Sequence, residues 1–275
     1  MEKLKVALVQ LSSGHDLESN LNEAEAWIRK AALQGSLLVA LPENFSFFGP
    51  EHQKIESADL ICQSTRSFLS RLSGELRIHL LGGGYPTPNG QGKVFNTASM
   101  YGPDGSEIFR YYKIHLFDTN PGDGISYRES STVIPGEQLP PLYNSPWGPI
   151  STVICYDLRF PEIFRALAKK GADFIFVPSA FTRLTGKAHW EVLLRARAIE
   201  NSCFILAPAQ TGENIRGRET FGHSMIVSPW GEIIAEAGTE KGLIVADLDL
   251  AGLKSARSKL PSLKHRRFIA EWETN

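Results

Sequence analysis

Among the side chains of this sequence, the three cysteines, Cys62, Cys155 and Cys203, offer the strongest nucleophile near neutral pH. Cys155 stands apart from the other two. It follows the apolar run Ser151-Thr152-Val153-Ile154 and precedes Tyr156-Asp157-Leu158-Arg159-Phe160-Pro161-Glu162, which places it at a strand-to-helix turn. Ligands of α/β proteins gather at the carboxyl ends of strands, and backbone N–H groups of such a turn can meet a developing negative charge. Cys62 and Cys203 read as buried apolar packing, the commonest use of a free cysteine. A thiol with an ordinary pKa of about 8.5 still needs a base or a nearby cation to react. Seven histidines are present; none has a second at i+4, so no helical metal clamp is visible. Spacing alone leaves a papain-like Cys–His pair open, although His115 and His189 read equally well as hydrogen-bonded structural residues. There is no G-x-S-x-G elbow.

Two further strand ends carry reactive groups. Glu43 lies just past an apolar run, in LPENF, where a carboxylate among apolar neighbours suits general acid–base work. Lys113 ends another run, in YYKIHLFD. A lysine there either reaches for solvent or points at a substrate oxygen, and for an arbitrary lysine the former is the default. Arg159 suits bidentate capture of a carboxylate, against the plainer alternative of an ion pair with Asp157 or Glu162.

The elements that must position these groups alternate along the chain. Residues 5–11 read as a buried strand, 16–34 as a helix closed by Gly35, and 36–41 as a strand halted by Pro42, so the chain opens β–α–β. A helix over 58–73 and a strand over 77–83 follow, then strands 94–101 and 107–112 around the turn Gly-Pro-Asp-Gly. Residues 118–148 have no period, and a loop of that length usually carries function. Strand 149–154, helix 161–170, strand 173–178, helix 187–201 and strand 203–207 continue the alternation. A hairpin over 224–228 and 232–237 and a strand over 243–248 complete it. Gly82-Gly83-Gly84 lacks a nucleotide-binding pattern and suits close approach of neighbouring backbone. Trp147, Trp190 and Trp230 read as core or interface. With neither repeat nor linker, residues 1–275 read as one α/β domain.

Composition excludes several classes. The 29 basic and 30 acidic residues nearly cancel, which gives no general attraction to nucleic acid or to anionic membranes. The short cluster Lys264, Arg266 and Arg267 reads as solvated. Three cysteines without C-x-x-C spacing argue against a disulfide framework and suit a reducing, cytoplasmic setting. No apolar run reaches the roughly 20 residues that a membrane helix needs.

Glu43 in LPENF, Lys113 in YYKIHLFD and Cys155 in ICYDLRFPE together resemble the Glu–Lys–Cys set of the nitrilase superfamily of carbon–nitrogen hydrolases, over nearly the whole chain. The stretch PSAFTRLTGKAHWEVLLRARAIENSCF, with PAQTG and GHSMIVSPWG, resembles the Nit branch, its deaminated-glutathione amidase type more than its ω-amidase type. That resemblance implies a four-layer αββα sandwich, a homodimer or higher assembly paired across a helical face, and no cofactor or metal. It implies Cys155 as nucleophile, Glu43 as general base, and Lys113 with the Tyr156 backbone N–H as oxyanion donors. It also implies Glu129 beside the lysine, and Arg159, Phe181 and Thr185 as substrate contacts. The implied reaction is hydrolysis of a linear amide of a small carboxylate-bearing substrate to acid and ammonia through a cysteine thioester. Deaminated glutathione is the leading substrate, with α-ketoglutaramate or a nitrile as alternatives. A non-catalytic binding protein of the same fold would show a damaged site, whereas Glu43, Lys113, Glu129 and Cys155 are all intact in their motifs.

Overall fold

The computed structural model describes residues 3–215 and 217–268. Apolar alternation along the strands builds two faces on each of two sheets. In Lys3–Gln10, the side chains of Leu4, Val6 and Leu8 enter one cluster, and Ala7 and Val9 enter another. The same split separates Leu38 and Ala40 from Val39, Phe174 and Phe176 from Ile175, and Phe204 and Leu206 from Ile205. A period of two with both faces apolar is the mark of a sheet covered on both sides.

The first sheet has six strands in the order Gly242–Asp249, Lys3–Gln10, Leu38–Ala40, His79–Pro88, Val94–Tyr101 and Glu107–Tyr112. The second runs Ile233–Glu236, Met225–Val227, Phe204–Ala207, Phe174–Phe176, Gly148–Thr152 and Tyr143–Ser145. Both are mixed, with parallel strands at the centre and antiparallel ones outside. Their inner faces share one core that joins Leu4, Leu8 and Met100 to Phe174, Phe204 and Ile226. The helices Leu17–Leu33 and Ala58–Leu76 cover the outer face of the first sheet through Ile28, Leu69 and Leu72. Pro161–Lys169 and Arg183–Asn201 cover the second through Phe164, Trp190 and Leu194. The layers are therefore αββα.

Local signals explain most boundaries. Asp16 caps the first helix by accepting from the Ser19 N–H at 2.9 Å, and Gly35 follows its end at φ 81°. The structure adds a short helix at Glu51–Glu56 and short strands within the 118–148 loop, and three further elements depart from the sequence expectation. The 187–201 helix begins earlier, at Arg183, behind a Thr182 cap. Gly186, which suggests a break, instead gives Phe221 room: a Cβ there would collide with its ring. The polar hairpin Thr211–Ile215 with Arg218–Phe221 has no apolar alternation to announce it. The helix Leu250–Lys259 buries only Leu253, so its sequence shows no stripe. None of the described helices is long and apolar enough to cross a membrane.

Candidate active site

The reactive residues lie at carboxyl ends of strands from both sheets. Glu43 follows Leu38–Ala40, and Lys113 directly follows Glu107–Tyr112, both in the first sheet. Cys155 follows Gly148–Thr152 in the second sheet. Facing of the sheets brings the three together at the base of a cavity of about 310 Å³.

Lys113 is almost fully buried. Its Nζ donates to Glu43 Oε1 at 3.1 Å and to Glu129 Oε1 and Oε2 at 3.0 and 2.8 Å. Burial alone would push the ammonium down, but the carboxylates of Glu129 and Glu43 outweigh it and hold Lys113 well above the ordinary lysine range. It stays charged. Asn96 Nδ2 donates to Glu43 at 2.8 Å and to Glu129 at 3.2 Å, so it bridges the two carboxylates. The Ala180 N–H donates to the second oxygen of Glu43 at 2.9 Å, and the Phe117 N–H to Glu129 at 2.7 Å.

The loop that carries Glu43 is fixed from behind. The Asn44 N–H donates to the Gly84 carbonyl at 2.6 Å, and Gln210 Nε2 to the Glu43 carbonyl at 3.0 Å. Gly83 and Gly84 are the close-approach residues: a Cβ on Gly83 would strike the Pro42 carbonyl, and one on Gly84 would strike Asn96 Oδ1. The glycine run thus leaves room for the carboxylate loop.

Cys155 adopts φ 47°, left-handed for a non-glycine residue, which turns the chain sharply out of its strand. Its N–H donates to the Pro178 carbonyl at 3.0 Å. Asp157 closes the turn by accepting from the Ile154 N–H at 2.9 Å. The Tyr156 N–H donates to no backbone carbonyl or side chain among the described residues. Desolvation raises the Cys155 thiol well above its ordinary range, and the nearby Glu43 carboxylate raises it further; Lys113 pulls it down by less. The resting group is a neutral thiol against a carboxylate. That arrangement suits proton removal during attack rather than a standing thiolate.

Arg159 makes no ion pair with Asp157 or Glu162; its Nη1 lies 3.2 Å from His189 Nδ1, and its guanidinium sits over the rings of Tyr156 and Phe181. Phe181 and Thr185 line the same cavity. Glu43, Lys113, Glu129, Cys155, Tyr156, Arg159, Phe181 and Thr185 therefore border one space. Asn96 and Asp157 were not singled out, although a polar residue inside the apolar strand Val94–Tyr101 is a signal for the first. His115 pairs with Asp157, Nδ1 to Oδ1 2.7 Å, and stacks on Phe160, so it serves the Cys155 turn and does not partner the thiol. Among the described residues no group of three or more His, Cys, Asp or Glu side chains is arranged to hold a metal ion. Cys203 is buried and pushed up to about 12 by desolvation, which makes it unreactive.

A sequence model of carbon–nitrogen hydrolases matches residues 5–258. The chain is 48% identical over 272 residues to a deaminated glutathione amidase of Synechocystis, covering 98% of this chain and 100% of that protein. It is 38% identical over 268 residues to the omega-amidase NIT2 of Danio rerio, covering 97% and 96%. The C. elegans NitFhit crystal structure superposes with a TM-score of 0.93 at 35% identity, over all of this chain and 69% of that one.

Proposed function

The chain belongs to the carbon–nitrogen hydrolase family, and we propose that it hydrolyses the amide of a small 2-oxo acid, deaminated glutathione above all, through a thioester on Cys155. One observation carries the mechanism: a buried thiol, a buried carboxylate and a buried ammonium share one cavity wall, with Lys113 Nζ 3.1 Å from Glu43.

Glu43 takes the thiol proton as Cys155 attacks the amide carbon. The oxyanion rests on Lys113 and on the uncommitted Tyr156 N–H, two fixed donors in a water-poor site. Protonated Glu43 passes its proton to the departing nitrogen, leaving the thioester. Water, deprotonated by the same carboxylate, then releases the acid and frees the thiol. Glu129 acts as a positioning residue that holds Lys113. With a simple amide the leaving group is ammonia. With a peptide conjugate it is the amine of the next residue, so formation of the keto acid is the product to follow.

The substrate choice is supported by the 48% identity to a deaminated glutathione amidase, and by Arg159, a guanidinium held on two aromatic faces at the cavity. Its free edge suits the carboxylate of a 2-oxo acid, with Phe181 and Thr185 beside it. The ω-amidase reading rests on the 38% identity. Formation of the carboxylic acid product from deaminated glutathione, α-ketoglutaramate and a simple nitrile ranks the candidates: the first is expected to be fastest, and preference for the nitrile overturns the amidase assignment. Turnover retained in Cys155→Ala protein overturns the mechanism. The proposed setting is a reducing cytoplasm, with a single catalytic domain and a homodimer. Exposed Val192 and Ile199 on the Arg183–Asn201 helix, with exposed Trp230 on the nearby hairpin, support the pairing face.

A further inference from the structure

Building on the amidase reading, we propose that Arg218 forms a second anion subsite, which binds a carboxylate on the amine side of the scissile bond. Arg218 stands on the Arg218–Phe221 strand of the polar hairpin and lines the same cavity as Cys155 and Arg159. Its guanidinium lies 5.0 Å from the ring centroid of Tyr127 and 5.5 Å from that of Phe48, so two aromatic faces fix its plane. Its carboxylate neighbour in the cavity wall is Glu51, at 4.0 Å, beyond hydrogen-bond distance. Lys54 Nζ at 2.7 Å and the Thr132 hydroxyl at 2.6 Å both donate to Glu51 Oε2, while Oε1 is the oxygen that faces Arg218. Among Lys54, Arg218 and Glu51 the cations exceed the carboxylates by one, and Arg218 is the cation without a hydrogen bond to Glu51.

Arg159 and Arg218 stand at opposite ends of a row of three rings. Arg159 is over Tyr156, Tyr156 meets Phe117 at 5.1 Å, Phe117 meets Tyr127 at 5.0 Å, and Arg218 is over Tyr127. Cys155 and Lys113 border the same space. A substrate whose acyl carboxylate lies on Arg159 thus has a second guanidinium ahead of its leaving portion. The matching chemistry is an amide joining a 2-oxo dicarboxylic acid to a short peptide with a free C-terminal carboxylate. α-Ketoglutaramate has nothing to place there, so Arg218 becomes a specificity residue between the two amidase substrates.

The test compares two amides of 2-oxoglutarate, one with cysteinylglycine and one with its C-terminal carboxamide, by kcat/KM for keto-acid release. A charge-assisted contact predicts that the wild type prefers the free carboxylate by roughly tenfold to a hundredfold, mostly through KM. In Arg218→Ala protein that preference falls to near unity, and Arg218→Lys restores part of it. A wild type without preference, or a preference unchanged in R218A, overturns the subsite and leaves the amidase reading standing. A wild type that hydrolyses neither amide overturns the deaminated-glutathione reading and the subsite with it.

Discussion

The Tyr111 hydroxyl donates to Asp157 Oδ2 at 2.7 Å, and this bond ties the strand that delivers Lys113 to the turn that delivers Cys155. Asp157 is fully buried and also accepts from the Ile154 N–H at 2.9 Å and the His115 N–H at 3.0 Å, with His115 Nδ1 at 2.7 Å. One carboxylate therefore fixes the separation of thiol and ammonium without bordering the cavity.

Asp157→Asn tests this tie. Asparagine keeps the shape but turns an NH2 toward donors that need an acceptor, at a cost of about 1–3 kcal/mol for each group left unpaired. Denaturant unfolding should show a loss on that scale. Turnover should fall at least about tenfold in kcat with KM nearly unchanged, since small misplacements of reacting groups slow the chemistry first. An unaltered kcat would remove Asp157 from any positioning role.

Glu43→Gln should separate two consequences of one carboxylate. Turnover disappears because the base is gone. Alkylation of Cys155, followed against pH, should show its midpoint moving down, because the Glu43 charge helps to hold the thiol up while Lys113 remains beside it. A midpoint that moves up would mean that Glu43 is not the group opposing ionisation.

Gly84→Ala places a methyl group against Asn96 Oδ1 and 2.9 Å from Glu43 Cγ. Overpacking of this kind costs about 1–3 kcal/mol, and the displaced carboxylate should lower kcat by up to about a hundredfold. Gly238→Ala, where the added methyl group meets nothing within 4 Å, is the matched control and should behave as wild type. Equal activities in the two variants would contradict the close-approach account of the glycine run.

Alkaline pH should destabilise the fold through Cys203. Its thiol is pushed up to about 12 on burial, so between its ordinary range, about 8.5 to 9, and that value the unfolded chain gives up a proton that the folded chain keeps. The stabilisation is complete below pH 9 and is lost as pH rises towards 12. Denaturation midpoints between pH 7 and 11 should fall above about 9, and Cys203→Ala should flatten that decline. An identical slope in the variant would assign the effect to other groups.

The sequence makes the strands legible because both faces of the central strands are apolar, so even one as short as Phe174–Phe176 stands out as an unbroken apolar run. It also marks Glu43, Lys113 and Cys155 as strand-end residues. Their convergence is a different matter: Glu43 and Lys113 are 70 positions apart and meet only through strand pairing and sheet packing, which no local pattern encodes. The role of Asn96 is hidden in the same way even though its polarity within a strand is visible, because its two partners, Glu43 and Glu129, are distant in sequence. The Leu250–Lys259 helix escapes for the opposite reason: with a single buried side chain it has no pattern to detect.

Glu43 and Lys113 follow strands of one sheet and Cys155 a strand of the other, so the proposed chemistry depends on both. A nascent or partly melted chain with one sheet formed carries either a thiol without its base or a base without its nucleophile. On the proposed roles, hydrolytic power therefore requires both sheets to be in place.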